Sequence, residues 1–122
     1  MSDTVYVIDA MPAERSRIAG ALAREPVTVE VYDNAEHFLK QVTATQSGCI
    51  LVPSGLSGMG VRALISEIFR RHVPLAIVVI GDKPDLAIAV ELVRAGATDF
   101  LVHPFSDRQL RSVVRQAIGT NA

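Results

Sequence analysis

The run Leu75–Ile80, LAIVVI, limits the fold more than any other feature of this sequence. Six consecutive apolar residues without alternation describe a strand covered on both faces, and such strands belong to parallel sheets with helices above and below. Four more short segments read as strands: Val5–Ile8, the Val-rich Val27–Tyr32, Cys49–Val52 and Asp99–Val102. Between them the apolar spacing changes to that of helices. Pro12 suits a first helical turn, with Glu14 inside it and Ile18 and Leu22 following to about Arg24. Asp33 stands three residues before Glu36, a capping-box spacing that predicts a helix to about Ala44. Val61, Leu64, Ile65 and Ile68 predict a third helix to about Arg71. A fourth is expected from about Pro84 to Ala95, stopped by Gly96. Ser106 and Gln109 are expected to cap a fifth, with Leu110, Val113, Val114, Ala117 and Ile118 on one face. Strands and helices alternating five times predict one α/β domain over residues 1–122, a (βα)5 doubly wound parallel sheet with right-handed crossovers.

The totals narrow the class. A chain of 122 residues is long enough for one core, and 49% hydrophobic with 20% charged residues is globular rather than disordered. A net charge of −1 gives no broad electrostatic footprint for nucleic acid. The single cysteine, Cys49, cannot form an internal disulfide, unlike a small secreted framework. MSDTVYVID lacks the basic-then-apolar pattern of a signal peptide, and no apolar run approaches the roughly 20 residues of a membrane helix. The expectation is a cytoplasmic protein with no membrane partner.

With the expected strand order 2-1-3-4-5, the order of connection reverses between strands one and three, and ligands bind beyond the carboxyl ends at that switch point. The residues at those ends are Asp9 and Ala10, Pro53, Gly81 and His103. Pro53 offers no nucleophile. Asp9 alone is a poor cage for a hard cation, and its plainer reading is a carboxylate bonding N–H groups of the next loop. Ser54 lacks an evident activating base, and as a neighbour of Pro53 it faces the other way. GLSGMG, Gly55–Gly60, lacks the Lys-Ser/Thr of a phosphate-binding loop. His103 could supply a charge that changes near neutrality, although a polar loop residue is the plainer reading. No catalytic residue, metal or cofactor is expected from this set.

VYVIDAMPAERSRIAGAL, GCILVPSGLSGMG, ELVRAGATDFLVHPF and SDRQL together resemble the receiver domain of two-component response regulators, in particular its FixJ-like members. The resemblance covers essentially the whole chain and implies the flavodoxin/CheY-like fold. It also implies a site: an acceptor Asp ending the third strand, two acids after the first that help hold Mg²⁺, a Thr or Ser after the fourth, and a Lys after the fifth. The matching positions here hold Pro53, Asp9 with Ala10, Gly81 and His103. Four parts of that chemistry are missing together while the apolar pattern is kept. The reading is a pseudo-receiver. The resemblance further implies a cis peptide bond before Pro104 and a switch-type aromatic at Phe100.

On the fourth helix, Leu86, Val90, Val93 and Ala97 are expected to share the core face, with Glu91 and Arg94 opposite and Ile88 between them. Arg108, Arg111 and Arg115 form a basic stripe on the fifth, and a solvated face is the plain reading. The resemblance implies that the fourth helix, fifth strand and fifth helix form a dimerisation and output face. Ile88, Glu91, Arg94, Phe100, Arg108, Arg111 and Arg115 are then interface candidates, with Asp85, Glu91 and Asp107 able to meet the arginines across a two-fold axis. The expected function is a phosphorylation-independent regulatory interaction domain, acting in transcriptional control through a protein partner or as a homodimer. DNA contact would come only through a separate C-terminal domain. The alternative is a receptor that binds a small ligand in the vacated pocket. An enzyme or flavin carrier ranks last, because DAMPAE lacks a hydroxyl- and Gly-rich phosphate loop and no nucleophile–base pair is visible.

Overall fold

The computed structural model describes residues 3–44, 46–56, 58–82 and 86–120. Its strands are β1 (Asp3–Ile8), β2 (Val27–Tyr32), β3 (Gly48–Pro53), β4 (Leu75–Gly81) and β5 (Asp99–Val102). Its helices are α1 (Pro12–Ala21), α2 (Ala35–Gln41), α3 (Val61–Arg70), α4 (Leu86–Ala95) and α5 (Asp107–Thr120). All neighbouring strands are parallel, in the order β2-β1-β3-β4-β5. This is the expected CheY-like α/β architecture. β4 lies inside the sheet and is buried along its whole length, as its unbroken apolar run required.

Side-chain alternation sorts the core into two layers. Tyr6, Ile8, Ile50, Val52, Ile77 and Val79 face one way and pack with Phe38 of α2, Leu64 and Ile68 of α3, and Leu92 of α4. Val5, Val7, Leu51, Val78 and Ile80 face the other way and meet Ile18 of α1 and Leu110 and Val114 of α5. No buried side-chain polar atom among the described residues lacks a partner, so the apolar layers carry no unpaired desolvation cost. Cys49 lies in the second layer, and burial pushes its thiol up to about 12.

Several local expectations hold. Pro12 opens α1, and Gly96 follows α4 at φ +125°. At α5, Gln109 N–H donates to Ser106 Oγ at 3.0 Å while Ser106 N–H donates to Gln109 Oε1 at 2.8 Å, a complete capping box.

Others need correction. The cap of α2 is Asn34, whose Oδ1 accepts from His37 N–H at 2.7 Å; Asp33 sits one residue too early and faces the His37 ring instead. Both residue types cap well, so spacing alone could not choose between them. α2 ends at Gln41 rather than near Ala44 because Val42 turns extended and Thr43 N–H goes to Gln46 Oε1. These β-branched residues favour the change. α1 stops at Ala21, since the chain must turn ahead of Pro26 to enter β2.

The core face of α4 is also different. Leu92 is 4% exposed, whereas Val90 and Val93 are 41% and 48% exposed. Residues 87–93 are apolar except Glu91, so two stripes fit the helical period; contact with the sheet selects the one through Leu92. Ala97 is buried as expected. Pro84, Asp85, Ser57, the side chain of Leu86 and the last two residues lie outside the described set.

Candidate functional site

Strand register brings the predicted residues to one edge. Ile8 pairs with Tyr32, Pro53 with Ile80, and Gly81 with Val102, so the residues that follow converge at the carboxyl ends. A cavity of about 400 Å³ opens there, lined among others by Asp9, Ala10, Pro53 and His103. Gly81 stands at its margin, where its carbonyl accepts from His103 N–H at 2.7 Å. His103–Pro104 is cis, as the resemblance implied.

Asp9 takes the plainer of its two readings. Its Oδ1 accepts from Met11 N–H at 2.9 Å, which closes the turn into α1. Its carbonyl is held by Arg15 Nη1 at 2.6 Å. One oxygen of this carboxylate thus serves the β1–α1 turn.

His103 reaches toward α1. Its Nε2 lies 3.7 Å from Glu14 Oε1, and its ring lies 4.8 Å from that of Phe105. Arg17 sits over the Phe105 ring at 4.5 Å, donates from Nη2 to the Phe105 carbonyl at 2.7 Å, and approaches Glu14 at 3.5 Å. α1 is therefore braced against the loop after β5 by a charged and aromatic cluster. Sequence reading placed Glu14 only in a helical first turn, and it passed over Asp82. Both line the cavity. Asp82 does carry a signal, since it immediately follows Gly81 at the end of β4.

The charge balance follows from this lining. Asp9, Glu14 and Asp82 are three carboxylates around one cavity, with His103 as the only cationic type among its described lining residues. The described lining is therefore more acidic than basic. It also fails as a seat for the Mg²⁺ that the fold family implies. Among the described residues no group of three or more His, Cys, Asp or Glu side chains is arranged to hold a metal ion, and Asp9 already serves the turn.

Ser54 stays out of the cavity wall. Its N–H donates to the Ile80 carbonyl at 2.8 Å, and its hydroxyl oxygen lies 3.1 Å from where a Cβ at Gly81 would stand. Beyond it, Leu56 and Met59 pack on the core, and Met59 N–H approaches Glu36 Oε1 at 3.4 Å.

The interface candidates do not form one continuous set. Ile88 is 45% exposed, and Arg94 lines a shallow depression of about 360 Å³ with Ala89, Val90 and Val93. Glu91 pairs with Arg62 of α3. Phe100 is half-buried against the first core layer. Arg108 is exposed, but Arg111 and Arg115 turn toward α1 and the segment after it. Arg115 holds Glu25 in a two-pronged contact at 2.7 and 2.9 Å, and this keeps the Glu25 carboxyl below its ordinary range.

Comparison with known proteins agrees with the geometry. The family profile described as "Response regulator receiver domain" matches residues 5–115. The transcriptional regulatory protein FixJ of Azorhizobium caulinodans is 31% identical over 118 residues, covering 97% of this chain and 56% of FixJ. The response regulator protein TodT of Pseudomonas putida is 27% identical over 124 residues, covering 97% of this chain and 53% of TodT. The crystal structure of full-length FixJ from B. japonicum superposes with a TM-score of 0.90 at 27% identity, covering 99% of this chain and 60% of that one. The chain spans about half the length of these curated relatives. With the profile running from β1 into α5 on a sheet of the expected order, the chain belongs to the response regulator receiver domain family.

Proposed function

We propose that this chain is a regulatory receiver domain that acts through protein contacts without accepting a phosphoryl group. One observation carries the reading: the cavity where the family's chemistry is expected is walled by Pro53 and three carboxylates, with no lysine among its described lining residues. A phosphoryl group entering it would meet like charge and find no acceptor at residue 53. The FixJ and TodT relatives are regulators, FixJ by name of transcription, which supports a role in transcriptional control. Any DNA contact would belong to a separate C-terminal domain, and the domain itself is not an enzyme in this reading.

The contact face is proposed on α4, β5 and α5, with a second copy or another protein as partner. The apolar depression at Ala89, Val90 and Val93 supplies the centre, and Ile88, Arg94 and Arg108 lie on the same two helices. Arg111 and Arg115 contribute less, because each already has a partner within the chain. Light scattering with and without a small phosphodonor and Mg²⁺ tests the reading. The same mass is expected in both conditions, and Val93→Asp is expected to lower any self-association. A mass that changes only with the phosphodonor overturns phosphorylation independence.

A further inference from the structure

Charge is not spread evenly over this chain. Positions 10–25 and 106–119, which hold α1, most of α5 and the turns beside them, carry six arginines against three acids, Glu14, Glu25 and Asp107. The other six of the 12 Lys and Arg residues stand among the other ten of the 13 acids. A net charge of −1 is thus the sum of a basic α1–α5 face and an acidic remainder.

Part of that basic charge braces the fold. Arg17 donates to the Phe105 carbonyl at 2.7 Å, and Arg115 grips Glu25 at 2.7 and 2.9 Å, which ties α1 and the turn after it to α5 and the loop before it. Arg111 is held more loosely, by one Nη1 contact with the Ala21 carbonyl at 3.4 Å. Arg24 and Arg108 are exposed and make no ion pair with another described residue. Arg24 and Arg111 flank a groove of about 450 Å³ between α1 and α5, over Gly20, Ala21 and Ala23. A methyl group added at Gly20 would meet nothing within 4 Å, so the space above it is open. Glu25 and Asp107 also line the groove, but Arg115 already neutralises Glu25. Asp107 then stands alone against Arg24, Arg108 and Arg111, and the groove with its rim is net positive.

We infer that the α1–α5 groove docks an acidic segment of a protein partner, whose carboxylates pair with Arg24, Arg108 and Arg111. A guanidinium matches a carboxylate with two parallel hydrogen bonds. Arg108 and Arg111 are three residues apart on α5, about 4.5 Å along its axis, and a partner helix sets two Glu side chains at the same interval. The small residues beneath allow a partner's backbone to come close. Charge also selects a protein over a nucleic acid. A continuous row of phosphates would meet Asp107 in the groove and the acidic remainder beyond it, whereas discrete carboxylates can face the arginines alone. This groove shares no lining residue with the depression on α4, so either face can fail without the other, and it does not depend on what residue 53 can accept.

Poly-L-glutamate is the probe, added to the native chain at low salt and followed by amide shifts. Saturable shifts over residues 20–24 and 107–115 are the expected result. Arg24→Glu/Arg111→Glu should weaken binding about tenfold, while Arg94→Glu, which reverses a charge on α4, should leave it unchanged. If the double variant does not fold, Arg24→Glu alone decides, because Arg24 touches no partner among the described residues. Absent shifts, or shifts that persist at full affinity in Arg24→Glu, overturn the inference. Tighter binding of a short duplex DNA at the same residues overturns the choice of a protein partner.

Discussion

Replacing Pro53 with Asp returns a nucleophile to the cavity, but the surrounding charges should keep it nearly silent. The cavity of about 400 Å³ has the volume of a sphere about 4.6 Å in radius. A phosphoryl group held about 6 Å from a cation carried at residue 103, at an effective dielectric constant near 20, would gain about 3 kcal/mol from the pair. The cavity is open to water, and screening leaves roughly half of this, about 1.5 kcal/mol or tenfold. In the observed arrangement His103 Nε2 instead lies against Glu14 Oε1 at 3.7 Å, so that carboxylate competes for the imidazole. Pro53→Asp should accordingly take up at least about tenfold less phosphoryl group from a small phosphodonor and Mg²⁺ than Pro53→Asp/His103→Lys, read by intact mass at equal times. The half-buried end of β3 should accept the substitution, which far-ultraviolet circular dichroism checks. Equal labelling of the single and double variants would refute the electrostatic reasoning.

Alanine at two glycines should act with opposite signs: Gly48→Ala drives a methyl group into the Thr4 carbonyl at φ +130°, whereas Gly20→Ala meets no neighbour within 4 Å. Urea unfolding should show a loss of about 3 kcal/mol or more at Gly48 and a gain of about 0.4–1 kcal/mol at Gly20; matching signs contradict this. Cys49 is 0% exposed, and burial pushes its thiol up to about 12, so thiol reagents at pH 8 should label only chains that have opened, and rapid native labelling argues against the core placement. Arg115 lowers the folded-state value of Glu25 below 4.5, so this pair adds stability above that pH and loses it as pH falls through the lower value; Arg115→Ala should flatten that acid limb of the stability profile.

The fold was legible because its signals repeat at two levels. LAIVVI demanded a strand covered on both faces, and the helices between the strands supplied the cover. The capping box at Ser106–Gln109 was readable since both partners are specific residue types at a fixed spacing. α4 was misread for the opposite reason: a nearly all-apolar helix carries no period to read, and only the sheet decides that Leu92 faces inward. At the site, Asp9, Ala10, Pro53 and His103 could be found by counting to the ends of strands. Glu14 could not, because its place at the cavity depends on how α1 leans on the loop after β5. The Arg115–Glu25 contact was equally hidden, joining residues 90 positions apart that carry no pattern in common.

Gly81 shows the limit most plainly. In the sequence it is a lost hydroxyl position. In three dimensions it is a space filled by Phe100, and no one-dimensional pattern reports that filling.

The central claim is that this receiver fold retains no site for a phosphoryl group. The most direct test is the amide spectrum of the native chain titrated with Mg²⁺ and beryllofluoride, a phosphoryl mimic. Unchanged amide positions at Ser54, Gly81 and His103 are the predicted result. Saturable shifts at those three residues would contradict the claim.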